Sequence, residues 1–265
     1  MRDVAALHLL DGRPWSQSPW VDPLSLLGCY TSFAVGPDGT VVDLEAHLAR
    51  LERDSVLLLG REVDRGEVVR LALAHVEQVG APTRLRVAVL AETPPVQPQQ
   101  VRAVHVATSS RPLVVADTRA WSVRTVQHVR AAAQAKGVDP FVQLHLKRQA
   151  RLEGDDDALL ARGDDLLEGT TWGLVAVTRG ALVVPGHDVL PSIGAARVAS
   201  VAGLPVEHRP VRRDELTGLR VLLATTALTP VTPIAAVDGT AVAVDLELVA
   251  RLRADCAALV GRPLG

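Results

Sequence analysis

Two lysines are the side chains of this sequence with the clearest capacity for covalent chemistry. Lys136 and Lys147 are the only lysines among the 28 basic residues of the 265-residue chain, and all the others are arginines. A lysine amine can bond to a carbonyl carbon, whereas an arginine can replace it only as a surface charge. A coding preference for arginine explains most of this composition. On composition alone, two chance surface lysines are therefore the simpler interpretation.

The elements that must position these lysines follow from the spacing of apolar residues. Short β-like runs alternate with amphipathic helical stretches, which is typical of mixed α/β (α+β) folds. One helix is predicted between an N-cap at Asp43 and a stop at Gly60, and a second over residues 65–79, closed by Gly80. Other helices are predicted over 141–153, 193–202 and 245–260, strands over 4–10, 30–35, 40–42, 84–90, 103–108 and 221–224, and a hairpin over 174–184.

The same alternation begins again in the second half of the chain, which predicts two lobes. We expect a small α/β domain over residues 1–110 and a large one over residues 116–265. Ser109 to Pro112 is the predicted linker. A cleft between two lobes is a common ligand site.

Charge and hydropathy exclude several classes of protein. The formal net charge is −2, with both signs spread along the chain, so we expect no nucleic-acid partner. Residues 1–20 lack a basic segment followed by a long apolar stretch, which argues against a signal peptide. The longest charge-free run, residues 221–237, contains two prolines and is short for a membrane span. Cys29 and Cys256 lie far apart and the histidines have no metal-like spacing, so we expect a cytoplasmic protein with no metal site and no membrane contact.

Motifs of one known family follow each other in this chain in that family's order. They are Gly28-Cys29-Tyr30-Thr31-Ser32, Glu45-Ala46-His47-Leu48-Ala49-Arg50-Leu51, Lys136, Lys147-Arg148-Gln149-Ala150, residues 154–160, Leu167-Glu168-Gly169-Thr170-Thr171-Trp172, Leu190-Pro191-Ser192-Ile193-Gly194, and residues 226–234. Each motif alone is weak, but their shared order and spacing are specific. From residue 28 to about residue 239 the chain resembles the class IV aminotransferases, which include branched-chain and D-amino-acid transaminases and 4-amino-4-deoxychorismate lyase.

The resemblance implies a two-lobed fold-type IV enzyme that carries pyridoxal 5′-phosphate (PLP), with the large domain supplying the lysine and most cofactor contacts. Its reaction would transfer an amino group between an amino acid and a 2-oxo acid, and it would act as a homodimer. The nearest alternative is a PLP lyase acting on aminodeoxychorismate, because residues 28–31 and 226–228 resemble the lyase branch somewhat more. A second alternative is a non-catalytic binding protein that keeps the fold.

By the resemblance, Lys136 is the catalytic residue that bonds PLP and moves the α-proton of the substrate. Lys136 lies 32 residues before Glu168, close to the family's spacing, whereas Lys147 lies 21 residues before it. We therefore interpret Lys147 as a solvated helix charge. Glu168 would hold the pyridine nitrogen protonated, and its alternative role is that of an exposed acid in a turn.

The phosphate of PLP would be bound from two parts of the chain. Arg50 offers a planar pair of donors to a dianion, although an arginine on an amphipathic helix is usually solvent-facing. Ile193 and Gly194 open a predicted helix, where backbone N–H groups attract phosphate. Thr226 and the backbone at Ala227 match the family's second phosphate contact, and Thr226 could otherwise be an ordinary strand-end residue.

Three residues of the first lobe are candidates for contact with the substrate. Tyr30, Thr31 and Arg86 could face it, and Arg86 could meet a carboxylate. Arg86 and Arg84 share one alternating strand, so an exposed strand face is an equal alternative for both. His47 is expected to pack on its helix rather than to bind a ligand.

The chain departs from the family pattern in three places. It has Asp139 and Pro140 where relatives usually carry asparagine and an aromatic or basic residue. It has Gly173 where they carry asparagine, and Ser192-Ile193-Gly194 where they carry Gly-Ile-Thr. Loss of the threonine hydroxyl at position 194 removes one phosphate hydrogen bond, worth about 1 kcal/mol. PLP binding can survive this loss, because the backbone donors remain.

Overall fold

The structure is a computed structural model that describes residues 7–15, 26–94, 97–113 and 118–265. The chain divides into two units. The first comprises Met1–Val115, Ala135–Asp139 and Val260–Gly265, and the second comprises Ala116–Gln134 and Pro140–Leu259. This division differs from the sequence-based boundary in two short segments, because residues near 137 and 262 pair with strands of the first unit. Such long-range pairings leave no local signal in the sequence.

The first unit is a sheet covered on one face by two helices. Its elements are β1 (His8–Leu10), β2 (Arg13–Pro14), β3 (Gly28–Val35), β4 (Thr40–Val41), α1 (Leu44–Leu59), α2 (Arg65–Val79), β5 (Thr83–Glu92) and β6 (Ala103–Arg111). Five strands form an antiparallel sheet in the order β2-β1-β6-β5-β3. Leu48 and Leu51 of α1 and Leu71 of α2 are buried in one core with Leu85 and Val87 of β5. The opposite sheet face therefore remains available for other contacts.

Glycines and one aspartate set the ends of the two helices. Gly60 ends α1 in the left-handed region with φ of 62°, which suits a residue without a Cβ. Asp64 caps α2 by accepting a hydrogen bond from the backbone N–H of Glu67 (3.2 Å). Asp43 occupies the predicted N-cap position of α1, but its φ is 60° and its side chain makes no capping hydrogen bond to the helix. The predicted N-cap position of Asp43 is confirmed, and its backbone carbonyl accepts the N–H of His47 (3.1 Å).

A short segment containing Lys136 runs alongside β3. The backbone N–H of Tyr30 donates to the carbonyl of Lys136 (2.9 Å), and that of Val138 donates to the carbonyl of Gly28 (3.1 Å). A Cβ atom on Gly28 would lie 2.3 Å from the carbonyl oxygen of Val89. Only glycine therefore allows β3 to begin this close to β5.

The second unit is built on a sheet that closes on itself. Its elements are β7 (Trp121–Gln127), α3 (Phe141–Leu152), β8 (Asp157–Arg162), β9 (Asp165–Gly169), β10 (Gly173–Val177), β11 (Leu182–Val184), α4 (Ile193–Ala202), β12 (Val206–His208), β13 (Val211–Arg212), a 3₁₀ helix (Arg213–Gly218), β14 (Val221–Thr225), β15 (Thr232–Val237), β16 (Thr240–Ala241) and α5 (Leu246–Ala257). The order is β12-β11-β10-β14-β15-β7-β8-β9-β13, and an additional pairing of β9 with β10 closes six of these strands into a ring.

Two apolar cores lie on either side of this sheet. One includes Leu159, Leu222 and Ile234, and the other packs α4 and α5 through residues such as Val198 and Leu252. A last strand, β17 (Arg262–Pro263), pairs with β4 in the first unit. No helix of the described ranges is both long and apolar enough to cross a membrane.

The helices agree with the sequence better than the strands do. The predicted ranges 65–79 and 193–202 coincide with α2 and α4. The predicted linker at Ser109 to Pro112 is wrong, because β6 continues to Arg111 in register with β5. No range was predicted for β7, β8, β9 or β15. β8 is buried at five of its six positions, so its sequence lacks the alternation that marks a half-exposed strand.

Candidate functional site

Lys136 is fixed through its backbone on both sides. Its carbonyl accepts the N–H of Tyr30, and its own N–H donates to Oδ2 of Asp54 (2.9 Å). Its side chain is partly buried, and Nζ lies 5.0 Å from the centroid of the Tyr30 ring. The amine therefore stands over the face of an aromatic ring, where a cation is favoured.

Asp54 is a site residue that the sequence did not indicate. It is fully buried on α1, and Arg53 donates to its Oδ1 from Nε (2.9 Å) and Nη2 (2.6 Å). Asp54 thus joins helix α1 to the Lys136 segment. The sequence shows that Asp54 lies one helical turn after Arg50. Its partner Lys136 is far along the chain, so no local pattern indicated their contact.

Arg50 is buried, with 7% of its surface exposed. It therefore does not have the solvent-facing position that is usual for an arginine on an amphipathic helix. One turn earlier on α1, Nδ1 of His47 lies 2.6 Å from Oγ1 of Thr31, and the His47 ring packs on Phe33 with centroids 5.1 Å apart. His47 is thus a packing residue, as expected.

Alternate side chains of β3 point to opposite faces of the sheet. Thr31 is fully buried and its Oγ1 contacts His47 of α1, so it lies on the helix side of the sheet, and its contact with the substrate stays a prediction. Successive side chains of a strand point to opposite faces, so Thr31 faces the helices when Tyr30 faces the open side of the sheet. Tyr30 and Arg86 do come together on the open face, with Cζ of Arg86 4.5 Å from the ring centroid. Nε of Arg86 also donates to Oγ of Ser32 (3.3 Å).

The thiol next to Tyr30 is not an alternative nucleophile. Burial, followed by the nearby charge of Asp54, raises the pKa of Cys29 to about 12. Its Sγ lies on the core side, 3.8 Å from the carbonyl of Leu51. The thiol is therefore protonated at neutral pH, and only the thiolate would be reactive.

Glu168 is a buried carboxylate in the second unit rather than an exposed turn residue. It lies on β9 with 5% of its surface exposed. Its Oε1 is 2.9 Å from Nε of Arg130, and its Oε2 accepts the backbone N–H of Leu190 (3.1 Å). Arg130 is a second residue that sequence reasoning missed, because nothing local marks it as the partner of Glu168.

The first turn of α4 presents two backbone N–H groups that the helix does not use. Oγ of Ser192 caps the helix by accepting from Ala195 (3.1 Å), and the carbonyl of Ser192 accepts from Ala196 (3.0 Å). Within the described parts of the chain, the N–H groups of Ile193 and Gly194 have no such acceptor. These two amides form a donor pair suited to an anion.

A tight turn after β14 lies against these amides. A Cβ on Gly194 would be 2.5 Å from the carbonyl carbon and oxygen of Thr226. Oγ1 of Thr226 accepts the N–H groups of Leu228 (3.1 Å) and Thr229 (2.8 Å). Of the amides from 226 to 229, only that of Ala227 has no acceptor among the described residues.

The hydroxyl of Thr226 takes part in its own turn and lies 2.9 Å from Oγ1 of Thr229. Its predicted contact with the phosphate stays a prediction. The carbonyl of Ala227 accepts from Nη1 of Arg197 (3.0 Å), a buried arginine on α4 that the sequence did not single out.

Two departures from the family pattern have a steric reason. A Cβ on Gly173 would lie 2.4 Å from Cβ of Ser192, so the serine occupies space that a side chain at position 173 would need. Gly194 likewise leaves room for the backbone of Thr226. Pro140 occupies the N-cap position of α3, and nothing in the structure explains Asp139.

Lys147 is not the solvated helix charge that the sequence predicted. Its Nζ lies 2.6 Å from Oδ2 of Asp157, which is fully buried and also accepts from the Thr170 hydroxyl (2.6 Å). A buried carboxylate requires a partner, which Lys147 supplies. The two residues are ten positions apart and lie on different elements, α3 and β8, so their spacing did not indicate the pair.

The predicted residues therefore form one group in each unit. Asp54 connects α1, which carries Arg50, to Lys136 and Tyr30 in the first unit. Leu190 connects Glu168 to the start of α4 in the second. A buried carboxylate suits a protonated ring nitrogen, and the amides of Ile193, Gly194 and Ala227 suit a phosphate, so these groups fit PLP by their chemistry.

Comparison with known proteins agrees with this chemistry. Residues 28–237 match the family described as amino-transferase class IV. No curated protein sequence matches the chain.

Solved structures of low sequence identity have the same fold. A branched-chain aminotransferase from Thermoproteus uzoniensis has 20% identity and a TM-score of 0.82, over 94% of this chain and 93% of that one. A fold IV transaminase from Curtobacterium pusillum has 23% identity and a TM-score of 0.74, over 88% and 87%. A hypothetical aminotransferase from Mycobacterium tuberculosis in its PLP-bound form has 18% identity and a TM-score of 0.77, over 96% and 99%.

The family match covers most of the chain and both of its units. It confirms the predicted fold type, the PLP cofactor and the aminotransferase activity, and it does not favour the lyase or the non-catalytic alternative. The chain belongs to the class IV aminotransferase family.

Proposed function

We propose that the chain transfers amino groups between a small-molecule amino acid and a 2-oxo acid in the cytoplasm, as a homodimer, with Lys136 as the catalytic lysine. When bound, PLP supplies an aldehyde for covalent attachment and a ring that withdraws electrons from the reacting carbon. Side chains and backbone amides of this chain bind and orient the cofactor and move the proton.

The contrast between the two lysines supports Lys136. Lys147 is tied to the buried carboxylate of Asp157 at 2.6 Å and is needed there. The backbone of Lys136 is fixed by Asp54 and Tyr30, and its amine lies over the face of the Tyr30 ring, 5.0 Å from the ring centroid. An amine held in this way is suited to move a proton at the substrate Cα.

Buried groups of the second unit support the assignment of the cofactor contacts. We assign the pyridine nitrogen to Glu168, whose orientation is set by Arg130 and the amide of Leu190. We assign the phosphate to Arg50 and to the amides of Ile193, Gly194 and Ala227. A dianion needs such compensation when it leaves water.

An assay of both half-reactions tests the proposed activity. The purified protein with PLP is mixed with an amino acid, and the 2-oxo acid product is measured with and without an added 2-oxo acid acceptor. We expect sustained turnover only with the acceptor. Pyruvate release from aminodeoxychorismate without any acceptor would instead support the lyase.

Sedimentation tests the assembly. We expect a homodimer in the presence of PLP, by similarity to the fold-type IV enzymes. A monomer at all workable concentrations would exclude this part of the proposal.

A further inference from the structure

Three arginines share the open face of the first unit's sheet. Arg84 and Arg86 are two residues apart on β5, so their side chains point to the same face. Arg111 on β6 is directly opposite Arg84 in the register of the two strands. Like charges in directly opposite positions destabilise a sheet.

No carboxylate compensates these charges among the residues that the structure describes. Other arginines of the unit have acidic partners, for example Arg53 with Asp54 and Arg70 with Glu67. Among the described residues, Arg86 contacts the Ser32 hydroxyl and the Tyr30 ring. Burial, and then the charges of Arg86 and Arg111, lower the pKa of Arg84 from its ordinary value. The cluster is thus an excess of positive charge that an anion would relieve.

The arginines line a pocket together with apolar side chains. The pocket has a volume of about 200 Å³. Its apolar lining includes Trp15, Leu26, Leu90 and Val138, and its polar lining besides the arginines includes Ser109. A lining that combines positive charge with apolar side chains suits a molecule that has both an acid group and a hydrocarbon chain.

Tyr30 connects this pocket to the lysine. Both Nζ of Lys136 and Cζ of Arg86 lie within 5.0 Å of its ring centroid. Tyr30 is opposite Ala88 in the sheet register, and Arg84 is four residues from Ala88 on β5. The Cα atoms of Ala88 and Arg84 are therefore roughly 13 Å apart along the strand. A ligand that reaches from Lys136 to Arg84 must be elongated.

We propose that Arg84, Arg86 and Arg111 select substrates whose side chain ends in a carboxylate, several apolar carbons away from the reacting carbon. This inference rests on the proposed aminotransferase function, because it places the reacting end of the substrate at Lys136. A bidentate contact from arginine to carboxylate supplies both affinity and direction.

Calorimetry on the full-length protein loaded with PLP tests the pocket without requiring turnover. Adipate and suberate are compared with hexanoate and octanoate, which have the same lengths but lack the second carboxylate. We expect each diacid to bind about 10-fold or more tightly than its monoacid, because hydrogen bonds between charged groups are strong. Equal affinities within both pairs would overturn the proposal.

Three glutamine variants locate the effect. Arg84→Gln and Arg111→Gln should reduce the preference for the diacid by about 10-fold, whereas Arg70→Gln on helix α2 should leave it unchanged. Unliganded Arg84→Gln should melt no lower than the wild type, since it relieves repulsion. Unchanged diacid affinity in both Arg84→Gln and Arg111→Gln would contradict the assignment.

The outcome is separable from that of the proposed function. If the protein binds diacids through these arginines but does not transfer amino groups, the proposed function fails and the anion pocket stands. If it transfers amino groups but does not distinguish diacids from monoacids, the pocket assignment fails alone.

Discussion

At the scale of single residues, the two lysines have opposite environments. Lys147 compensates a fully buried carboxylate, and Lys136 stands over an aromatic ring on a segment fixed by Asp54. The same amine chemistry is therefore structural at one position and suited to catalysis at the other. This difference arises from contacts distant in sequence, which explains why spacing alone assigned Lys147 to the solvent.

Replacing Lys147 should mainly affect stability. Lys147→Ala leaves Asp157 buried without its cation, which we expect to cost about 3–5 kcal/mol of the free energy of unfolding. Urea denaturation measures this loss. Arg148→Ala, a neighbouring change on the same helix, serves as the control. A loss below about 1 kcal/mol for Lys147→Ala, which is the usual range for an exposed ion pair, would show that the pair is not buried in solution.

The proposed phosphate contacts should differ in how much each contributes to PLP affinity. Arg50→Ala should weaken PLP binding more than Thr226→Ala does, by about 1–3 kcal/mol, because charged hydrogen bonds exceed neutral ones. Arg50→Lys should recover only part of the affinity. Thr226→Ser should be close to the wild type, since it retains the oxygen that holds the turn, whereas Thr226→Val should not. Titration with PLP measures the affinity of all five variants, and equal affinity in Arg50→Ala and the wild type would remove Arg50 from the site.

At the scale of elements, helix α1 packs against the sheet and also presents buried charged side chains. Its buried face includes Arg50 and Asp54 along with Leu48 and Leu51. The carboxylate of Asp54 accepts the backbone N–H of Lys136, so the helix fixes the position of that lysine. We expect Asp54→Ala to lower kcat by about 10-fold or more, because small displacements of a catalytic group are costly.

The conservative variant separates position from charge at this helix. Asp54→Asn retains an oxygen that can accept the N–H of Lys136 but lacks the negative charge. We expect it to recover most of the kcat that Asp54→Ala loses, with KM little changed. If both variants lose kcat equally, the position of Lys136 does not depend on this hydrogen bond.

The junction of β10 and α4 offers a test of the altered family motif. Gly173→Asn should destabilise the protein by about 1–3 kcal/mol, because its side chain meets Ser192. Ser192→Gly alone should cost only a few tenths of a kcal/mol as an N-cap change. In the double variant, much of the cost of Gly173→Asn should disappear. Thermal melts of the four proteins measure this coupling, and strictly additive effects would show that the two positions are independent.

The sequence predicted elements where the signal was local. Gly80 and the apolar spacing before it were sufficient to predict α2. Ser192 and Gly203 occupy the two cap positions of α4. The fully buried strands of the second unit carry no alternation, so no range was predicted for β8 or β9. Local signals also could not reveal that β3 pairs with the Lys136 segment.

The candidate site followed the same rule. The family motifs identified Lys136, Glu168 and Arg50 by number, and burial of Glu168 and Arg50 agrees with functional rather than solvent-facing roles. Arg130, Arg197 and Asp54 were missed because each acts through a partner that is distant in the sequence. Thr31 lies on the opposite face of the sheet from Tyr30 because side chains alternate along a strand, and the sequence motif alone did not separate these two neighbours.

At the scale of the whole molecule, the family match runs through both units. The proposed cofactor residues of the first unit are Lys136 and Arg50, and those of the second are Glu168 and the amides around Gly194. The central proposal is that Lys136 bears PLP in the intact protein.

Trapping the cofactor on its lysine tests this claim most directly. The purified protein is incubated with PLP, treated with borohydride and digested, and the peptide carrying the added mass is sequenced by mass spectrometry. We predict that the mass is found on Lys136 and is lost in Lys136→Ala, whereas a Lys147→Met variant that remains folded still carries it on Lys136. Labelling of Lys147, or of no lysine in a folded protein saturated with PLP, would contradict the account.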